Sequence, residues 1–342
     1  MTRQVRGSSP RRLLMFCALA GVFAGMLVIP LVAGQGGGAQ APAAGQAPPA
    51  GAPAAQPARG PAAMPQGGSG PIRVLFISKF HPFDRENYFL MLDSFGKEIT
   101  WTHAQNPAAE AFYDPKNAAR FDVFLYFDMA GLRPSVTAPD GTRKINPEVP
   151  SAETRANFRA LLRSGKPLVF THHAIASWVH TWPEYVETMG GACDWGNPIT
   201  VRGKTYPVSG FRPGTKQHLT VVDKAHPIMA GLGDGFDMVD ETYRCEYLPD
   251  TFHLLMTTDF DNSDVNFPNP YGRGWRYPGK GSNAAGWVKT AEISPVVYVQ
   301  PGHDRGSWEN PMYRTWLMNA IRWAASPEAK AWAKANPTKI YK

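Results

Sequence analysis

A chain of 342 residues with three cysteines is too long and too cysteine-poor for a small disulfide-framed domain, and it can bury a sizeable core. Its formal charge of +7 overstates its basic character: Arg3, Arg6, Arg11 and Arg12 stand among the first twelve residues with no acid beside them, leaving a remainder near +3. No Lys/Arg cluster of the kind that neutralises phosphates follows, so no nucleic-acid partner is expected.

The chain opens with that basic stretch and then an apolar one, residues 13–32, interrupted by Gly21, Gly25 and Pro30. This pattern predicts an export signal over residues 1–34, with a small-residue cleavage site near Val32-Ala33-Gly34. An uncleaved segment is the alternative. At about 20 residues it is long enough to span a bilayer and would tether the protein to a membrane. The expected location is therefore exported, periplasmic or extracellular, with anchoring left open. Residues 35–71 are rich in Gly, Ala, Pro and Gln and almost free of charge, which predicts a disordered linker that cannot offset its ordering entropy by burial.

From residue 72 the chain alternates apolar runs with helical periodicity. Residues 72–77 (IRVLFI) predict a buried strand, followed by His81. Tyr88, Phe89, Met91, Leu92 and Phe95 recur at near-helical spacing, and 99–102 predicts a second strand. Residues 121–127 (FDVFLYF) predict a third, ending at Asp128. A polar loop over 131–150 leads to Ser151, which suits the cap of a helix over 152–163. Then comes KPLVFTHHAIASW, residues 166–178: a short apolar strand that ends in Thr171, His172 and His173. Further on, strands are expected at 218–222, 238–239, 254–258 and 296–299, a long loop over 262–281, and a helix over 311–325. Residues 327–342 read as a C-terminal tail. The rhythm is that of an α/β fold, a flavodoxin-like, doubly wound and mostly parallel sheet with long loop insertions.

In such a sheet the carboxyl ends of the strands gather at one edge, where ligands bind. The polar residues at those ends are His81, Asp128, His172, His173, Asp240, Glu241, His303 and Asp304. Imidazoles titrate near neutral pH and suit general acid–base work, with a carboxylate to orient them. The candidate catalytic set is His172, His173, His303, Asp304 and Glu241. His81, Asp128, Asp240 and Tyr243 are candidates for holding substrate hydroxyls, and the loop tryptophans Trp178 and Trp308 for packing on the apolar face of a sugar. Imidazole plus carboxylate with an open position also suits a divalent, zinc-like ion, with His173, Asp240 and His303 as candidate ligands. No His-x-x-x-His or Cys-x-x-Cys spacing supports such an ion, and no cofactor is certain. Cys193 and Cys245 allow one disulfide.

Three stretches together carry a resemblance: HHAIASWVHTWPEYVETMGG (172–191), VVDKAHPIMAGLGDGFDMVDETY (221–243) and SPVVYVQPGHDRGSWENPMYRTWLMNAIRWA (294–324). In spacing and order they resemble the ThuA-like (trehalose-utilisation) family over nearly all of 72–326. That resemblance implies a class I glutamine amidotransferase-like fold and a role in carbohydrate use on a small-molecule sugar, including keto-sugars or glycosides. In amidotransferases the turn after the central strand carries a nucleophilic cysteine. Here that position falls on His172, or on His173 if the turn shifts by one, so thioester chemistry is not expected. The expected function is acid–base chemistry on a sugar derivative by a hydrolase, lyase or isomerase. A non-catalytic carbohydrate-binding or scaffold domain is the alternative.

Overall fold

Ten strands form the main sheet: β1 (Gln66–Gly68), β2 (Ile72–Lys79), β3 (Ile99–Gln105), β4 (Val123–Asp128), β5 (Leu168–Thr171), β6 (Gly210–Val221), β7 (Gly235–Arg244), β8 (His253–Thr258), β9 (Ala284–Ala291) and β10 (Ser294–Val299). They come from a computed structural model that describes residues 63–132, 136–137, 143–144, 146–263, 266–267 and 282–341. The export signal and most of the linker lie outside these residues, as do part of the loop expected over 131–150 and most of that over 262–281. Contacts gather Gly60–Lys342 into one unit.

The order across the sheet is β1-β3-β2-β4-β5-β10-β9-β8-β6-β7. From β3 to β10 the neighbours are parallel, and apart from β3 their central residues are apolar on both faces. Val74, Phe76, Leu125, Val169 and Val297 enter one buried cluster, with the helices Arg85–Asp93 and Pro311–Ala325. Leu75, Ile77, Phe124, Phe170 and Tyr298 enter another, with Ala152–Arg163 and Pro183–Met189. A parallel sheet needs this double cover, which is why its strands read as continuous apolar runs. Ser151 caps its helix as expected, its hydroxyl accepting from the Thr154 N–H at 3.0 Å.

The sheet is mixed rather than mostly parallel, which corrects the expected fold class: from β10 to β7 every pair is antiparallel. The cause is local. Ala291 pairs with Ser294, so two residues, Glu292 and Ile293, join β9 to β10. A connection that short makes an antiparallel hairpin, and Glu292 takes φ +49° to close it. β1 lies inside the expected linker, pairing Gln66 with Thr102 and Gly68 with Thr100. Backbone groups make that ladder, and composition does not register them. The tail contains the helix Pro327–Ala335, capped by Ser326, with Ala329 and Ala333 buried.

One feature positions the site. β6 and β7 pair from Gly210–Arg244 to Thr220–Gly235, yet β6 touches β8 only over Leu219–Val221. Most of this hairpin therefore runs past the sheet as an arm. It returns to the carboxyl end of β10, where the Gln300 side-chain amide donates to the Glu241 carbonyl at 2.9 Å. Beyond the arm, Cys245 is joined by a disulfide to Cys193.

Candidate functional site

β5 ends at Thr171, and His172 takes a left-handed backbone, φ +53°. Histidine is among the few side chains that visit this region, and a turn there sends successive side chains different ways. His172 turns toward β10 and the arm. Its Nδ1 lies 3.1 Å from the Gln300 carbonyl. A carbonyl can only accept, so Nδ1 carries a proton. Nε2 meets His303 Nδ1 at 3.2 Å, the Tyr243 hydroxyl at 2.7 Å and Glu241 Oε2 at 3.4 Å. Glu241 Oε1 stands 3.4 Å from His303 Nδ1. His172 is fully buried, Glu241 nearly so, and the His303 side chain is 29 % exposed, so His303 is the face that the cluster shows to solvent.

Burial pushes Glu241 upward. The hydrogen bond and charge of His172, then His303 and Tyr243, outweigh it and hold the carboxylate below its ordinary range. Burial, with Glu241 beside it, raises the Tyr243 hydroxyl well above its usual value, so it stays a donor. His303 is held from behind. Asp240 accepts from the Gly302 N–H at 2.6 Å, from the His303 N–H at 3.3 Å and from the Ser307 hydroxyl. Gly302 has φ +133°, and a Cβ there would meet the Tyr313 hydroxyl at 2.4 Å, so only glycine fits. Asp240 and Glu241 lie inside β7 rather than after a strand, and it is the arm that brings them in.

His173 goes elsewhere. It is buried against Phe127 and His81, ring centroids 4.3 and 4.4 Å away, and neither ring nitrogen has a hydrogen-bond partner among the described residues. Burial, with the neighbouring imidazoles, lowers it well below the usual histidine range. His81 lies between it and His303, 5.5 Å from the latter's ring centroid. Burial, then the charges of His172 and His303, lowers His81 to about 4, so both rings are neutral near pH 7.

Four expected site residues stand outside the cluster. Asp304 is exposed and caps the helix Arg305–Glu309, accepting from the Gly306 N–H at 2.9 Å. Asp128 is fully buried and takes bonds from Ser177 at 3.1 Å and Asn106 at 3.0 Å; burial raises it to about 7. Trp178 is buried, with φ +58°, and its N–H donates to the Ala130 carbonyl. Trp308 is buried against Tyr88, and its indole N–H donates to the Gly302 carbonyl at 2.8 Å, bracing the His303 loop. Neither tryptophan offers a face to a ligand. Conversely, Gln300 and Ser307 support the site and were not singled out; their position flanking Gly302-His303 was the available signal.

Could the cluster hold an ion? Among the described residues His172, Glu241 and His303 bring donor atoms together, whereas His173 and Asp240, two of the three expected ligands, do not join them. One nitrogen of each imidazole stands 3.2 Å from the other, and each lies 3.4 Å from a different oxygen of Glu241, close enough for the three side chains to share one ion. The Gln300 carbonyl on His172 Nδ1 is also the partner a ligating histidine needs on its far nitrogen. The donor set fits a divalent ion.

A family profile described as ThuA, trehalose utilisation, matches residues 73–324. Among solved structures the chain is similar to a putative ThuA-like protein from Parabacteroides merdae, at 15 % identity and a TM-score of 0.52, over 75 % of this chain and 90 % of that one. It is also similar to a putative ThuA-like protein from Bacteroides uniformis, at 14 % identity and 0.49, over 77 % and 94 %. A cytoplasmic protein from Salmonella typhimurium follows at 12 % and 0.44, over 74 % and 98 %. No curated protein matches. Of the expected location, exported with a membrane anchor left open, the described residues bear no mark: among them no helix is long and apolar enough to cross a membrane, and the expected signal lies outside them.

Proposed function

The chain belongs to the ThuA, trehalose-utilisation family, and from that premise we propose that it acts on a sugar derivative, a keto-sugar or glycoside, by acid–base chemistry at His303, Glu241 and His172. The observation that carries this reading is the convergence of the three side chains on one another at the carboxyl edge, with only His303 well exposed. His303 exchanges the proton with the substrate. Glu241, kept ionised by the imidazoles, orients its ring and stabilises the imidazolium. His172, held at Nδ1 by the Gln300 carbonyl, turns Nε2 toward His303 and Glu241. Tyr243 donates to Glu241 at 3.2 Å, and Asp240 positions the loop that carries His303. The reaction is a hydrolysis, elimination or isomerisation of a small carbohydrate.

Glutamine amidotransfer is not part of this reading. His172 occupies the strained turn after the central strand, where a thiol would have to stand, and Cys193 and Cys245 are consumed in a disulfide. A second reading, favoured by the closeness of the three donors, gives His172, Glu241 and His303 to a zinc-like divalent ion. When bound, such an ion would polarise a carbonyl or activate water.

The test is a screen of the purified protein against native and 3-keto disaccharides with mass-spectrometric readout. Product should form with the wild type and disappear in His303→Ala, while sugar binding persists. Undiminished turnover in His303→Ala would refute the assignment. Metal analysis separates the two readings: a stoichiometric ion lost in Glu241→Ala supports the ion, and a fully active, metal-free protein removes it.

A further inference from the structure

The carboxyl end of β2 carries an anomaly that the cluster does not use. Phe80 has φ +71°, and the His81 N–H donates across it to the Lys79 carbonyl at 2.9 Å. This is a three-residue turn with a positive φ at its centre, a rare and strained form, and it is occupied by a bulky aromatic residue. The sheet enforces it: the Lys79 carbonyl also accepts from the Met129 N–H at 3.0 Å, and the Lys79 ammonium pairs with Glu148. The strain does not place Phe80 in the core. Its neighbour Phe83 packs on Phe76, Tyr88 and Phe127, while Phe80 stands 48 % exposed. A turn of this shape would accept glycine without strain, and a phenylalanine held there facing solvent points to use.

Phe80 borders a cavity of about 310 Å³ with Ser78, His81, Arg85 and Gln105 on its walls. Arg85 and Gln105 are exposed, and no side-chain hydrogen bond of theirs appears among the described residues. His81 is shared between this cavity and the cluster, through its ring beside His303. An aromatic face beside fork-shaped and amide donors matches a pyranose, whose C–H face packs on the ring while its hydroxyls meet the polar groups.

We propose that this cavity is a second sugar subsite, with Phe80 as its platform and Arg85 and Gln105 as hydroxyl partners. It holds the unit that does not react, while the reacting unit lies over His303. The ligand is therefore a two-unit sugar or a glycoside rather than a monosaccharide. This inference rests on the sugar reading given above.

The test uses the full chain and underivatised trehalose, with binding followed by saturation-transfer NMR and calorimetry. Phe80→Ala is expected to raise the trehalose Kd about tenfold or more, and Arg85→Ala several-fold. Phe80→Trp, which restores an aromatic face, should stay within about threefold of the wild type. Thermal melts verify that each variant is folded, and Phe80→Gly, free of the backbone strain, supplies a second ring-less variant with the same expected loss. Unchanged trehalose binding in folded Phe80→Ala and Phe80→Gly overturns the subsite and leaves the sugar reading standing. A wild type that binds no sugar of the panel overturns both.

Discussion

Two buried acids at this edge of the molecule meet opposite fates. Glu241 sits among His172, His303 and Tyr243 and is held ionised against its own burial. Asp128, at the end of β4, takes side-chain bonds from Ser177 and Asn106 among the described residues, and burial raises it to about 7 against the charge of Lys79. Both accept hydrogen bonds, but Glu241 is also in direct contact with two imidazoles that can carry the opposite charge. Desolvation decides the state of a buried carboxyl unless a cation offsets it. One arrangement keeps a charge ready beside an exposed imidazole. The other ties the β4 end to Ser177 through a neutral network.

The largest effect should come from breaking the first arrangement. Glu241→Gln keeps the shape and removes the charge. Turnover of the sugar substrate should fall about 10²–10⁴-fold, read as initial rates, with little change in the thermal midpoint. A fall of less than threefold would erase the distinction between the two acids.

The second acid is tested through pH. Its folded pKa, about 7, lies above the ordinary carboxylate value, so the stability it contributes is fully present below about pH 4 and is lost as pH rises through 7. Asp128→Asn fixes the neutral form. In denaturant titrations the variant should gain on the wild type between pH 5 and pH 8, by on the order of 2–4 kcal/mol. Its turnover should change little. A pH-independent difference would mean that Asp128 is ionised in the fold.

The smallest effect sharpens the boundary of the site. Asp304 adjoins His303 in sequence but caps a helix. Asp304→Ala should cost about 1 kcal/mol of stability and leave kcat unaltered. A large loss of kcat would return Asp304 to the machinery.

The parallel half of the sheet was legible in the sequence because a strand covered on both faces must be apolar throughout, as residues 74–77 and 123–127 are. β9 was not: Ala284–Ala291 contains Gly286, Lys289 and Thr290, and its Lys289 is buried by donating to the Glu187 carbonyl. The arm was half legible. Short apolar pieces at 218–222 and 238–239 marked its hairpin but not its length, which depends on cross-strand pairing. His172, Glu241, Tyr243 and His303 could be named from their places beside apolar runs. The choice between His172 and His173 could not, because it turns on one backbone angle set by tertiary contacts. Trp178 and Trp308 were misread because a loop address says nothing of exposure. Asp304 carried a cap signal that its neighbour His303 overshadowed.

The disulfide has a mechanical meaning. The Cys193 N–H donates to the Ile175 carbonyl at 3.2 Å, within the same short turn that begins at His172. Cys193 is bonded to Cys245, two residues from Tyr243. The path from His172 to Tyr243 thus closes on itself: along the turn, across one hydrogen bond, through the sulfur pair and back by the Tyr243 hydroxyl. A closed linkage of that size fixes the span between imidazole and phenol without reference to β8 or β9.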